Sequence, residues 1–325
     1  MEDILALAID NLVSPIILSF VLGLFAAIAR SDLSMPEAIA KGISIYLMFA
    51  IGFKGGVSVG DHGIGSTLGP SLVAGVFLAF ALPLIAYGLM RVMTRLSPTD
   101  AAATAGHYGS VSIVTFVAAA SVLEANGVAA EGFMIAIAAA MEAPAIISAL
   151  WLAARVTKQT RVDTTLLRDM LLNGSIVLLI GAFLIGLSTG QDGLDEIGAL
   201  IGAPFKGVLC LFLLDMGLIA GRGLRSGKGA LGPGAVGFGM VMPMTSAAVA
   251  LATAMIIGLS PGGTALLMTM AASASYIAVP AAMRVALPQA NPSVSLTLAL
   301  GVTFPFNLIF GIPLYIAAAA WMTGG

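Results

Sequence analysis

Between Val13 and Trp321 the chain is almost entirely a series of apolar runs, most about 20 residues long, separated by short charged or Gly/Pro-rich breaks. A hydrocarbon core of ~30 Å is crossed by about 20 residues rising 1.5 Å each, so such runs read as membrane helices. Ten result. They are Val13 to Ala29, Ile39 to Val59, Leu68 to Val92, Asp100 to Leu123 and Gly132 to Ala154, then Ser175 to Ser188, Leu200 to Ala220, Pro233 to Leu259, Gly263 to Ala286 and Val294 to Trp321. Only 9% of residues are charged and 59% are hydrophobic, whereas a soluble domain carries roughly 25% charged residues. The fold class expected is all-α, a polytopic integral membrane protein with the lipid bilayer as solvent and no separate soluble domain. A net charge of -2 without a basic block excludes nucleic acid as a partner. Met1-Glu2-Asp3 lacks the basic region of a secretory signal, so the first run is expected to stay as a helix. The lone cysteine, Cys210, reads as a small apolar side chain.

Lysine and arginine near the ends of spans are held on the cytoplasmic side. Arg30, then Arg91 and Arg95, then Arg155, Lys158, Arg161 and Arg168, then Arg222, Arg225 and Lys228, then Arg284 all fall on one side of a ten-span alternation. The other side holds Asp61, Glu124, Glu131, Asp192, Asp195 and Glu196, with Lys54 and Lys206 the basic residues near them. These two lysines can snorkel to the interface. The expectation is a multi-pass protein of the inner (plasma) membrane with both termini outside the cytoplasm.

The run beginning Ser97-Pro98 and leading to His107-Tyr108-Gly109-Ser110-Val111-Ser112 has a counterpart in Ser260-Pro261 leading to Ser273-Ala274-Ser275, with Pro280 beyond. Moving Pro98 onto Pro261, a shift of 163 positions, places Ser110 and Ser112 on Ser273 and Ser275. Gly69-Pro70 falls on Gly232-Pro233 in the same register, and Pro144 has a counterpart in Pro305. Five spans per half is an odd number, so tandem copies face opposite ways, the plan of many secondary transporters. Residues 1–155 are read as the first five-helix repeat, 156–174 as a cytoplasmic connection and 175–325 as the second, inverted repeat.

In hydrocarbon every backbone polar group must be paired, so a helix is interrupted only where protein or a wet cavity accepts the freed groups. A half-helix N-terminus suits an oxyanion, and unwound carbonyls with Ser or Thr hydroxyls suit a hard cation such as sodium. Gly106 and Gly109 permit the close approach a break needs. The candidate anion-binding residues are Gly109, Ser110, Ser112, Ser273, Ser275 and His107; the alternative for any serine is small-residue packing between spans. The coupling sodium is placed near Ser112 and Ser275. Glu142, two residues before Pro144, is a candidate cation ligand or proton-coupled carboxylate, since intramembrane acids are costly; its alternative is interhelical bonding. Asp215 is an intramembrane acid of lower standing, read as an ion-pair or oligomer contact. Thr303 and Asn307, beside Pro305, line the second half, with local bonding around a proline kink as their alternative, and Thr115 and Tyr276 complete the candidate cation ligands. Metal-ligand spacing and a phosphate-binding Gly-rich loop are absent, so no transition metal and no cofactor are expected. Gly52 and Gly56 form a GxxxG pair too common to specify anything.

His107 through Ser112, Glu142-Ala143-Pro144, Leu214-Asp215-Met216-Gly217, Ser273-Ala274-Ser275-Tyr276, Pro288 to Pro292 and Gly301 to Pro305 together resemble the sodium-dependent bicarbonate permease family, the SbtA-like transporters, over essentially the whole chain. The resemblance implies sodium-coupled bicarbonate uptake through a ten-span inverted-repeat fold, usually a homotrimer. By the same resemblance the anion meets Gly109, Ser110, Ser112, Ser273 and Ser275, with the coupling ion close by. Tyr276 stands where the cyanobacterial members carry an acidic residue, which bears on the sodium site. The Arg155 to Gly174 connection is much shorter than their cytoplasmic insertion, which bears on a PII-like cytoplasmic regulator. The function expected is a symporter for bicarbonate or a similar small anion, not an enzyme. The alternatives are a passive anion channel or facilitator, and a membrane sensor without transport.

Overall fold

The computed structural model describes residues 14–62, 66–157, 174–226, 232–276, 279, 283, 287 and 289–323. Val13, the connection carrying Lys158, Arg161 and Arg168, and Lys228, Pro280, Arg284 and Pro288 lie outside these residues. The described elements are helices: α1 Pro15–Ile28, α2 Glu37–His62, α3 Leu68–Met93, α4 Pro98–Gly106, α5 Ile113–Ala125, α6 Met134–Thr157, α7 Gly174–Ile201, α8 Phe205–Ser226, α9 Pro233–Ile257, α10 Pro261–Ala272 and α11 Pro292–Thr323. Seven of the described helices are long and apolar enough to cross a membrane, namely α2, α3, α6, α7, α8, α9 and α11. Two more, α1 and α5, are apolar but shorter.

The Ser-Pro pairs are helix starts. Ser97 Oγ accepts from Asp100 N at 3.0 Å, Ser260 Oγ accepts from Gly263 N at 3.0 Å, and Ser14 Oγ accepts from Ile17 N at 3.3 Å. In each case the next residue is proline, whose missing N–H costs nothing at the first helical position and whose φ is already helical.

Glycine brings the long helices together. A Cβ at Gly52 would sit 2.7 Å from the Leu179 carbonyl, and one at Gly56 would run into that of Phe183; Gly186 faces the Phe53 carbonyl in return. Thus the GxxxG pair that specified nothing in the sequence locks α2 along α7. Gly23 against Leu214, Gly217 against Phe20 and Gly221 against Ala27 do the same for α1 and α8. Such backbone contact is how membrane helices associate where lipid is as apolar as the side chains. The four helices α1, α2, α7 and α8 make one unit. In the other, α3 packs along α6, α4 and α9, and α10 lies among α9, α5 and the C-terminal part of α11.

Several boundaries depart from the apolar runs. The fourth run, Asp100 to Leu123, is two helices, α4 and α5, with 107–112 between them. The sixth, Ser175 to Ser188, continues as α7 to Ile201: Gly190 bends the chain at φ 59°, and the polar stretch beyond it stays helical, with Gln191 Nε2 donating to Asp195 Oδ1 at 2.9 Å. Counting apolar residues misses such a polar extension. Likewise α8 runs on to Ser226 because its last turns are tied down, Arg222 donating to the Leu33 carbonyl at 3.0 Å and Arg225 to that of Ala27 at 2.8 Å.

Candidate functional site

Two interrupted segments meet at their interruptions. The first leaves α4 after Gly106 and re-enters helix at Ile113, capped by Ser112, whose Oγ accepts from Thr115 N at 3.3 Å and Thr115 Oγ1 at 2.9 Å. The second leaves α10 after Ala272 and is extended at Ser273. They run antiparallel. At one end Asp100, in the first turn of α4, accepts from Asn291 N at 2.8 Å. At the other, Glu131, six residues past the end of α5, accepts from Ser260 N at 2.7 Å and Ser260 Oγ at 2.8 Å at the start of α10.

Some of the backbone groups freed by each interruption are satisfied by the other. Ser275 N donates to the His107 carbonyl at 2.7 Å, and His107 Nδ1 lies 2.6 Å from the Ser275 carbonyl. Since a carbonyl only accepts, Nδ1 carries the proton. Ser112 N donates to Ser273 Oγ at 2.8 Å, which itself donates to the Met270 carbonyl at 2.7 Å. The Ala272 carbonyl, at the end of α10, accepts from Asn307 Nδ2 at 2.7 Å, and Asn307 Oδ1 accepts from Tyr315 Oη at 2.8 Å. Tyr108 Oη donates to Thr303 Oγ1 at 2.7 Å, and Thr303 donates on to the Gly239 carbonyl at 2.8 Å. Thr303 and Asn307 both lie in π-helical turns of α11, on either side of Phe304–Phe306. Such wide turns displace side chains from the α-helical register and recur at functional sites.

Against this network a few polar atoms stand unused. Ser110 Oγ, His107 Nε2 and Tyr276 Oη are buried without a hydrogen-bond partner among the described residues; Tyr276 Oη approaches Ser112 without reaching bonding geometry. Buried polar groups are satisfied in the great majority of cases, so three clustered at one crossing ask for a ligand or water. Glu142 is buried in α6 and makes no hydrogen bond or ion pair among the described residues. Gly109 is packed instead against α3, where a Cβ would strike Pro83. Of the residues singled out in the sequence, His107, Ser112, Ser273 and Ser275 are thus bonded across the crossing, and Thr115 bonds to Ser112. Thr303 and Asn307 brace it from α11. Among the described residues the Ser110 and Tyr276 hydroxyls have no hydrogen-bond partner, and Glu142 of α6 makes no bond to the crossing.

Two cavities lie on the seam between the four-helix unit and the rest. The larger, about 1030 Å³, is lined by Glu37, Lys41 and Ser44 of α2, Asp215 and Met216 of α8, Leu296 and Leu300 of α11, and Tyr276. It brings Asp215 into one space with the second interruption, which sequence reasoning did not do: no periodicity within α8 says what faces its apolar side. The smaller, about 190 Å³, is lined by Lys54 and Ser58 of α2, Phe116, Val117 and Ser121 of α5, Glu124, Glu131 and Phe205. From Glu37 to Lys54 along α2 is roughly 25 Å at 1.5 Å per residue, so the cavities sit toward opposite ends of the helices.

A family model described as the Na+-dependent bicarbonate transporter superfamily matches residues 15–320. A search of curated proteins gives no match to this chain.

Proposed function

Because the chain belongs to the Na+-dependent bicarbonate transporter superfamily, we propose that it is a multi-pass symporter that carries bicarbonate with sodium by alternating access around the crossed interruptions. One observation carries this reading: a broken helix and the extended end of α10, from distant parts of the chain, run antiparallel and bond to each other through His107, Ser275, Ser112 and Ser273. A break in hydrocarbon persists only where the structure uses it.

The ten-span, inverted-repeat plan, residues 1–155 against 175–325, is supported by the shared Ser-Pro starts of α4 and α10. It is also supported by the pairings of α1 with α8 and of α7 with α2, which exchange with each other when the halves are exchanged. The orientation with both termini outside the cytoplasm follows the lysine and arginine distribution. A homotrimer follows from the resemblance alone, and the segment where a PII-like regulator would bear, 158–173, lies outside the described residues.

At the crossing the anion is received by the Ser110 hydroxyl and the N-terminus of α5, which carries partial positive charge. With its proton held on Nδ1 by the Ser275 carbonyl, His107 offers Nε2 as an acceptor. Bicarbonate, unlike nitrate or a carboxylate, has an O–H to give it. Sodium is held beside Ser112 and Ser275 by hydroxyl and carbonyl oxygens, with Thr115 and Tyr276 close by and Glu142 supplying charge. Ser273, Thr303, Asn307 and Gly109 position these groups through the bonds and packing they already make.

The deciding experiment reconstitutes the purified protein and measures labelled bicarbonate uptake under sodium, potassium and proton gradients in turn. Uptake driven by sodium alone is expected. Flux indifferent to sodium and slow to saturate would replace symport by a passive facilitator, and absence of flux would leave a sensor.

A further inference from the structure

Lys54, which can snorkel to the interface, also borders a cavity of the fold. It is half-buried in α2 and lines the smaller seam cavity, its Nζ 5.1 Å from the centre of the Phe205 ring at the start of α8. No carboxylate pairs with it among the described residues. Glu131 lines the same cavity, its carboxylate turned to Ser260 by two hydrogen bonds rather than paired with the lysine. Glu124 lies at its exposed rim, where water screens its charge. A ring face attracts the ammonium without using its N–H donors, so these are left to the cavity. The space, about 190 Å³, holds several waters at about 30 Å³ each, or a small oxyanion in their place. Its wall includes Phe116 and Val117, and Val117 is five residues, roughly 7.5 Å, along α5 from Ser112.

We infer that Lys54 is a capture site for a small monovalent oxyanion at the mouth opposite Glu37, from which the anion passes along α5 to the crossing. This rests on the symport reading above. The ammonium raises the local anion concentration and fixes one oxygen through its N–H groups, while Phe205 keeps the side chain in the cavity rather than in bulk water. It governs how well the anion enters from that face and takes no part in the steps after it has left for Ser110.

Sodium-driven uptake of radiolabelled bicarbonate is measured in right-side-out and inverted vesicles. Lys54→Gln is expected to raise KM about fivefold in right-side-out vesicles, as losing one close charge in a wet site does. Its maximal rate, and its KM in inverted vesicles, should stay near the wild-type values. Lys54→Arg should retain the low KM. A Lys54→Cys variant in a Cys210→Ser background gives a reading within one folded protein: attaching an aminoethyl group restores the low KM, and attaching a sulfonatoethyl group raises it further. An unchanged KM in Lys54→Gln, a loss of maximal rate alone, or indifference to the sign of the attached group overturns the inference. Absence of sodium-driven uptake by the wild type would instead overturn the symport reading.

Discussion

Ser110 and Ser273 occupy matching places in the two interruptions but do opposite work. Ser273 accepts the Ser112 N–H and donates to Met270, so Ser273→Ala leaves a buried amide without an acceptor. That costs about 1–3 kcal/mol, read as a lower midpoint of thermal unfolding in detergent. Ser110 Oγ has no partner to lose among the described residues, so Ser110→Ala should leave the stability within about 0.5 kcal/mol of wild type while raising KM for bicarbonate. Equal destabilisation by the two would show that Ser110 is structural. His107 makes the same point about what a sequence can say. Its place beside a break was legible, but the bond that assigns the Nδ1 proton comes from Ser275, 168 residues away, and no local pattern contains it.

At the scale of elements, the helices and their starts follow from local chemistry: Ser-Pro caps and apolar length suffice. Which helix lies on which does not. Gly56 and Gly60 are alike in sequence context, yet a Cβ at Gly56 meets the Phe183 backbone and one at Gly60 finds its nearest neighbour 3.6 Å away. Gly56→Ala is therefore expected to push α7 off α2 and destabilise the protein by about 1–3 kcal/mol. Gly60→Ala should be neutral or slightly stabilising, since alanine loses less backbone entropy than glycine. Thermal unfolding of the two variants side by side checks this, and equal tolerance would mean that the α2–α7 seam is loose. The π-helical turns at Thr303 and Asn307 were not legible either. Pro305 suggested only a kink, whereas the displaced side chains are held by Tyr108 and Ala272 from other parts of the chain, with Tyr315 of α11 itself adding a bond to Asn307.

For the whole molecule, the two seam cavities give the proposed alternating access a direct test. Ser44 lines the larger and Ser121 the smaller. With Cys210→Ser as background, Ser44→Cys and Ser121→Cys are expected to change their rates of thiol labelling in opposite directions when sodium and bicarbonate are added together. Rates that move the same way, or not at all, would argue against one unit rocking on the other. Long apolar runs and sparse charge sufficed to determine from the sequence a bundle of membrane helices, because a bilayer tolerates little else. The repeated Ser-x-Ser grammar likewise marked where two of those helices had to break. Only the tertiary structure decided that the breaks cross and satisfy one another, that Asp215 and Tyr276 share one cavity, and that Lys54 lies over Phe205 inside another. Each of these depends on contacts between residues far apart in the chain, where close packing rather than local propensity sets the partner.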